Sequence, residues 1–335
     1  SKDGHGIDWP IRYKDIAPWY SHVENFVGIS GQEENLPHLP DSDFLPPMEM
    51  NIIEKEVKAS IEKNYKDRMM TIGRCAVLTQ PHNGRGACHY CGPCERGCSV
   101  GAYFSTQSST LPAAQKTGNL VLKSDCVVAG IDYDPVTKRA SGVRVIDANT
   151  RTRTTYTAKI IFLCASTAGS TQVLMNSRSA SFPNGLANSS GALGHYLMDH
   201  TTAQGAIGVM PGHENKVVYG NRPNGTYIPR FRNLDGQDDD AEFIRGYGYQ
   251  GMAMRRGWQS LVDQTPGFGE ELKSALRKPG PWMMLLTGFG ECLPYRENRL
   301  ELDSSKTDRF GIPQVRFQFS FKENENRMRD DIVSQ

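Results

Sequence analysis

No apolar run in this 335-residue chain approaches the roughly 20 residues that a membrane-spanning helix requires. Net charge is also missing: 38 Lys and Arg against 37 Asp and Glu leave +1, which gives no electrostatic basis for holding nucleic acid or an anionic membrane. The first ten residues, SKDGHGIDWP, have neither the basic start nor the apolar middle of a secretory signal. Internal repeats and low-complexity tracts are absent. Hydrophobic residues at 38% and charged residues at 22% describe a soluble globular chain, long enough for two ordinary domains or one large one.

Cysteine is concentrated in one place. Four of the eight cysteines, Cys88, Cys91, Cys94 and Cys98, fall within eleven residues of the stretch CHYCGPCERGCSVGA. Gly92, Gly97 and Gly101 are interleaved with them, and glycine lets a backbone wrap round an object through positive φ. Disulfides among neighbours so close are strained, because the bond needs its Cα atoms at a set separation. The spacing C-x2-C-x2-C-x3-C is that of bacterial ferredoxins, with Ser99 where those carry proline, and it points to an iron–sulfur cluster. A zinc site is the weaker reading, since no second C-x-x-C or H-x3-H pair completes one. Disulfides or free thiols remain the bland alternative, because cysteine pairs in oxidising compartments often only staple a loop.

Periodicity predicts a helix over Tyr13–Val27, capped near Asp15, with Trp19, Tyr20, Val23, Phe26 and Val27 as a core stripe. A second helix is expected over about Met50–Met69, with Ile53, Val57, Ile61 and Tyr65 on its apolar side. A third runs over Ser108–Lys116. Strands are expected at Cys75–Thr79, Leu120–Leu122, Val127–Tyr133, Ser141–Asp147, Thr154–Ala158 and Ile160–Cys164. The last reads as buried on both faces. A helix over Ser170–Asn176 follows it directly, the strand–turn–helix at which a doubly wound domain places a phosphate-bearing ligand. From His200 onward, strand-like segments recur at Ala203–Met210, Thr226–Arg230, Arg245–Met254, Met283–Glu291 and Gln314–Phe321, as in an antiparallel sheet. The acidic run Asp235–Asp240 lacks a calcium-loop pattern and reads as a solvated turn.

Several segments, in order, resemble the flavin-dependent glucose–methanol–choline oxidoreductases. They are Asp8-Trp9-Pro10-Ile11 with Tyr13, Asp15, Ala17-Pro18 and Tyr20, then Asn83-Gly84-Arg85. Asn119-Leu120 to Val128 and Ile131, with Gly142-Val143 and Asp147, resemble the family's strand pair beside the adenine of FAD. Cys164-Ala165 with Thr171-Gln172-Val173-Leu174 and Ser177, and Gly194 with Leu197-Met198-Asp199-His200, follow in turn. Glu291, Pro294, Asn298, Leu300, Leu302, Asp308, Gly311 and Pro313 complete the series. The cysteines resemble the C-x5-C-x3-C pattern of bacterial sugar dehydrogenases in that family, here Cys88, Cys94 and Cys98 before Gly101-Ala102.

The resemblance implies a mixed α/β fold: part of an FAD-binding Rossmann-like domain over 81–199, an antiparallel-sheet substrate domain over 200–335, and a helical or extended segment over 1–80 bridging them. It implies FAD near Asn83, Gly84, Val128, Ala165 and Ser166. It also implies a three-iron, four-sulfur cluster on Cys88, Cys94 and Cys98, with Cys91 either a fourth ligand or, as favoured, a small buried filler. Oxidation of a sugar or other alcohol is implied, with electrons passing to a cytochrome subunit or quinone. A periplasmic setting and a small export or assembly subunit come with the subgroup. An oxidase using oxygen, or a non-catalytic electron-transfer module, are the rival readings. The G-x-G-x-x-G fingerprint and the catalytic His region of the family have no counterpart here, so the chain is expected to be an internal fragment. No histidine is assigned as base, and His200 is expected at the domain junction. Ser166 stands where the family has glycine.

Overall fold

The computed structural model describes residues 3–235, 241–255, 257 and 261–335. Residues 236–240 of the acidic run therefore lie outside the described residues. In chain order the elements are α1 (Tyr13–Val27), α2 (Ile52–Asn64), β1 (Thr71–Ile72), α3 (Thr110–Lys116), β2 (Cys126–Asp134), β3 (Arg139–Asp147), β4 (Arg153–Thr157) and α4 (Ser166–Asn176). They continue with β5 (His200–Met210), β6 (Thr226–Ile228), β7 (Tyr247–Arg255), α5 (Gly269–Leu276), β8 (Trp282–Glu291), β9 (Arg299–Thr307), β10 (Pro313–Gln318) and α6 (Glu323–Ser334).

Three sheets result: β1-β6-β7-β8-β5, the meander β2-β3-β4, and the β9–β10 hairpin. Every strand pair in them is antiparallel. The mixed α/β class holds, while no parallel Rossmann-like sheet is assembled among the described residues. The expected strand at Ile160–Cys164 is not one. Ile160 is 72% exposed and Phe162 83% exposed, and only Ile161 and Leu163 pack, against the cluster around Ile131, Val173 and Leu186. An apolar run pairs as a buried strand only where a neighbouring strand lies beside it, and none does among the described residues. Leu120–Leu122 is likewise exposed and unladdered. Cys75–Thr79 is held by single bridges, Cys75 to Ser30 and Val77 to Tyr103, rather than by a ladder.

α1 spans the predicted residues. Arg12 precedes it, and its backbone N–H donates to the Asp15 carboxylate at 2.7 Å. Its stripe is not core, however: only Val27 is buried, with Trp19, Tyr20 and Val23 all on the surface. α2 begins at the Asn51 cap and ends five residues early. Tyr65 turns extended there, and the Arg68 guanidinium stacks between the rings of Tyr65 and Phe231 at 4.3 and 4.1 Å.

The five-stranded sheet has one covered face. Tyr247, Tyr249 and Ala253 of β7 and Trp282 and Met284 of β8 point into a core shared with Ile53 of α2 and Met328 and Ile332 of α6. α6 lies directly on β8 because Gly288 and Gly290 have no side chains. A Cβ at Gly288 would sit 2.5 Å from Ile332, and one at Gly290 would sit 2.3 Å from Met328 Sδ. By the alternation of strands, Gln250, Leu285, Thr287 and Phe289 are left on the opposite face.

Candidate functional site

The cysteine loop stands on a small apolar cluster of Met48, Ile72, Val77, Leu78 and Ala102, against which Cys75, Cys88, Cys98 and Tyr90 pack. Backbone bonds fix its two ends: Cys88 N–H donates to Leu78 O at 2.8 Å, Leu78 N–H to Ala102 O at 3.0 Å, and Gly86 N–H to Val100 O at 2.9 Å. Between them Gly92, Gly97 and Gly101 take φ of 102°, 105° and 69°, and Cys94–Arg96 forms one 3-10 turn. All four thiols line a common cavity of about 10 Å³, room for one water-sized sphere.

The thiols differ in character. Burial raises Cys94, and the neighbouring sulfurs of Cys88, Cys98 and Cys91 raise it further. Burial works against ionising Cys98 too, but hydrogen bonds from the backbone at Tyr103, Val100, Ala102 and Gly101 outweigh it and lower this thiol. Cys88 Sγ accepts from the Tyr90 N–H at 3.4 Å. Cys91 is exposed, so it is not the buried filler expected of it; it forms the outer wall of the same cavity.

Among the described residues, no three His, Cys, Asp or Glu side chains are gathered tightly enough to hold one metal ion. That geometry is not a closed zinc site. Thiolates round a cluster stand on different irons and so stand further apart than those round one ion. Four thiols on one glycine-jointed loop are donors of the soft kind that iron–sulfur clusters take, round a cavity of about 10 Å³.

The open face of the five-stranded sheet carries a cavity of about 650 Å³, a size that takes a drug- or sugar-sized ligand. Sequence reasoning missed it, since its lining comes from β1, β6, β7, β8 and the turns beside them. β-Sheet register places Gln250 opposite Thr287. Asn224 is 9% exposed, donates from Nδ2 to Gly73 O at 2.8 Å, and leaves its buried Oδ1 without a partner. An orphaned acceptor in a cavity wall calls for a donor from a ligand. The far wall is a charge network in which Arg74 meets Glu34 and, at 2.6 Å, Asp41, while the Thr71 hydroxyl donates to Glu34 at 2.7 Å. Burial alone would raise Asp41, but the backbone N–H groups of Glu34 and Asn35 and the Arg74 guanidinium bring it below the usual carboxylate range.

The residues expected round the flavin are spread out. Asn83 takes φ of 47° and spends its amide on Phe26 O at 3.0 Å, tying the loop to the end of α1; a Cβ at Gly84 would meet open space. Val128 is exposed on β2. Ala165 and Ser166 are exposed at the start of α4, whose first turn has no side-chain cap. Ser166 sits at φ 61°, the left-handed region where the resemblance places glycine. Ser166→Gly is therefore expected to gain about 0.5–1 kcal/mol, seen as a higher urea midpoint, because the left-handed conformation costs an L-residue about 1–2 kcal/mol. His200 opens β5 opposite Glu291, its ring edge-on to Phe289 at 6.1 Å. No histidine among the described residues lines the sheet-face cavity.

A GMC oxidoreductase family model matches residues 5–202. The 2-methyl-1,2-propanediol dehydrogenase of Mycolicibacterium austroafricanum is 28% identical over 95% of this chain and 57% of its own. The fructose dehydrogenase large subunit of Gluconobacter japonicus is 24% identical over 92% and 56%, and the gluconate 2-dehydrogenase flavoprotein of Pantoea cypripedii 21% identical over 97% and 56%. The chain thus spans somewhat over half the length of these curated relatives. With more than half of its residues under the family model, the chain belongs to the GMC oxidoreductases.

Proposed function

We propose that this chain is part of an FAD-dependent dehydrogenase that oxidises an alcohol group of a polyol or sugar. In this reading Cys88, Cys94 and Cys98 hold an iron–sulfur cluster that carries electrons outward. Family membership supports the flavin, and the names of the relatives above support alcohol and sugar chemistry. One observation carries the arrangement. Cys75 lines the sheet-face cavity and also packs in the cluster that seats Cys88 and Cys98. Burial pushes the Cys75 thiol up, despite the Ser30 hydroxyl 3.3 Å away, so it is a neutral partition between a ligand cavity and the cysteine loop.

Bound FAD supplies the hydride acceptor, and Asn83, Gly84, Val128, Ala165 and Ser166 are the residues proposed to lie along it. The uncapped first turn of α4 fits an anionic group such as a phosphate. Asn83 acts by holding its loop against α1. Within the sheet-face cavity, Asn224 Oδ1 accepts from a substrate hydroxyl, and Gln250 and Thr287, whose side chains make no hydrogen bond among the described residues, orient others. The cavity is walled off from charge by the mutual pairing of Glu34, Arg74 and Asp41. Residues 81–199 and 200–335 are proposed as parts of the FAD-binding and substrate domains. The cytochrome or quinone acceptor, the small export or assembly subunit and a periplasmic setting rest on the resemblance of the cysteine pattern alone.

The test is flavin content and alcohol-dependent dye reduction in the full-length protein. A protein that retains no flavin, or reduces dye with no alcohol, would sink the reading. Gln250→Leu is expected to raise KM for the best alcohol substrate up to about tenfold, the equivalent of one lost hydrogen bond, with flavin content unchanged.

A further inference from the structure

Strand register divides the open face of the five-stranded sheet into rows. One row is polar: Tyr227 of β6 stands opposite Gln250 of β7, and Gln250 opposite Thr287 of β8. The next is Met252–Leu285–Ile207 and the one after it Met254–Met283–Val209, each crossing β7, β8 and β5. Alternation along the strands puts all three rows on the same side of the sheet. A strand advances about 3.4 Å per residue, so the apolar rows lie about 7 and 14 Å from the polar one.

The polar row has hydrogen-bonding capacity to spare. Gly248 leaves room for the Tyr227 side chain to lie over it, since a Cβ there would sit 2.8 Å from the Tyr227 hydroxyl oxygen. Burial pushes this hydroxyl up, so it stays a neutral donor. It makes no hydrogen bond among the described residues, nor do the side chains of Gln250 and Thr287, and the orphaned Asn224 Oδ1 belongs to the same cavity wall. Met252 and Leu285 line that cavity too and offer a hydroxyl nothing to bond. Ile207 and Val209 carry the apolar surface on to the edge strand β5, each 61% exposed. The cation in the wall, Arg74, is spent on Glu34 and Asp41, so the face matches a neutral ligand.

We propose that the sheet-face cavity takes an alcohol with its hydroxyls at one end and a hydrocarbon tail behind them, an alkane-1,2-diol being the simplest case. The hydroxyls meet Tyr227, Gln250, Thr287 and Asn224, and the tail crosses Met252 and Leu285 toward Ile207. The inference rests on the dehydrogenase reading above and narrows its substrate. A free sugar fits worse. Its ring bears hydroxyls on every edge and would leave some of them against Met252 and Leu285 with no partner, and an unbonded hydroxyl is costly to take out of water.

The probes are 1,2-propanediol, 1,2-butanediol, 1,2-pentanediol and 1,2-hexanediol, with glucose beside them, presented to the full-length holoenzyme. Dye reduction gives kcat/KM for each, and ligand-observed NMR gives Kd. Both are expected to improve about threefold with each added methylene, most of the gain from burying one, and glucose is expected to be poorer than 1,2-butanediol. Ile207→Asn, on the exposed edge strand, and Met252→Gln, which keeps the side-chain length, should each cut the step below about twofold. A flat series, or glucose preferred to 1,2-hexanediol, would overturn the proposal and leave the dehydrogenase reading standing. Steps unchanged in both variants would overturn it too, by placing the tail elsewhere. So would sedimentation showing that Ile207→Asn abolishes a dimer, which would assign the apolar rows to a second copy of the chain. Dye reduced by none of these compounds would count against the dehydrogenase reading, while threefold steps in Kd would still uphold the preference of the cavity.

Discussion

Cys94→Ser is expected to empty the cysteine loop of iron and acid-labile sulfide and to cut dye reduction by much more than tenfold, while substrate still bleaches the flavin. Cys94 is the middle thiol of the set, raised by burial and by the sulfurs of Cys88, Cys98 and Cys91. A serine hydroxyl there is hard, neutral and a poor iron ligand. Outer partners of metal ligands alone cost about 10–100-fold in affinity when changed, so losing a ligand exceeds that. Cys91→Ser is the control. Cys91 is exposed, and with three irons held by three thiolates its loss leaves iron content unchanged. Iron and sulfide analysis of anaerobically purified protein reads both variants. Full iron and unimpaired dye reduction in Cys94→Ser would defeat the relay; equal iron loss in both would make Cys91 a ligand.

Glu54→Ala is expected to destabilise the protein by about 3–5 kcal/mol, the range for removing one partner of a buried ion pair. Glu54 has no exposed surface. One carboxylate oxygen accepts from Asn51 N–H at 2.9 Å and Arg222 at 2.6 Å; the other accepts from Ala253 N–H at 3.0 Å and Arg222 at 2.6 Å. Four donors from α2, β7 and the 222 turn thus converge on one side chain. Alanine leaves Arg222 charged, mostly buried and unpaired. Glu54→Gln keeps the volume and part of the bonding, and should lose less. Urea midpoints at constant m-value measure both, and a loss under about 1 kcal/mol in Glu54→Ala would show that water or a neighbour replaces the carboxylate.

Segments whose partners are local were legible in the sequence. The β2-β3-β4 meander was readable because Asp134-Pro135 and Asn149-Thr150 punctuate it, and α1 because its periodicity is unbroken. Burial depends on neighbours, so the same periodicity misplaced Trp19 and Tyr20 in a core, and the apolar letters of Ile160–Cys164 suggested a ladder that is not there. β9 was suggested only by the resemblance of Leu300 and Leu302 and not by periodicity, because the alternation of RLELD stops at SSKT, and α6 went unseen because ENENRMRDDIVS has only Met328, Ile332 and Val333 as apolar residues. The cysteine loop announced itself through spacing. The sheet-face cavity could not, because Asn224, Gln250 and Thr287 are far apart in the chain and only the pairing of β6, β7 and β8 brings them together.

The glycines of β8 carry a consequence for how the protein is made. With Gly288 and Gly290 bare, the covered side of β8 is completed by Met328 and Ile332, which follow some forty residues later. A ribosome that has released β8 has not yet released α6. During that interval the aromatic rings of Tyr247, Tyr249 and Trp282 have α2 beside them but lack the cover of α6, and the nascent sheet is a client for holding chaperones until residue 334 emerges.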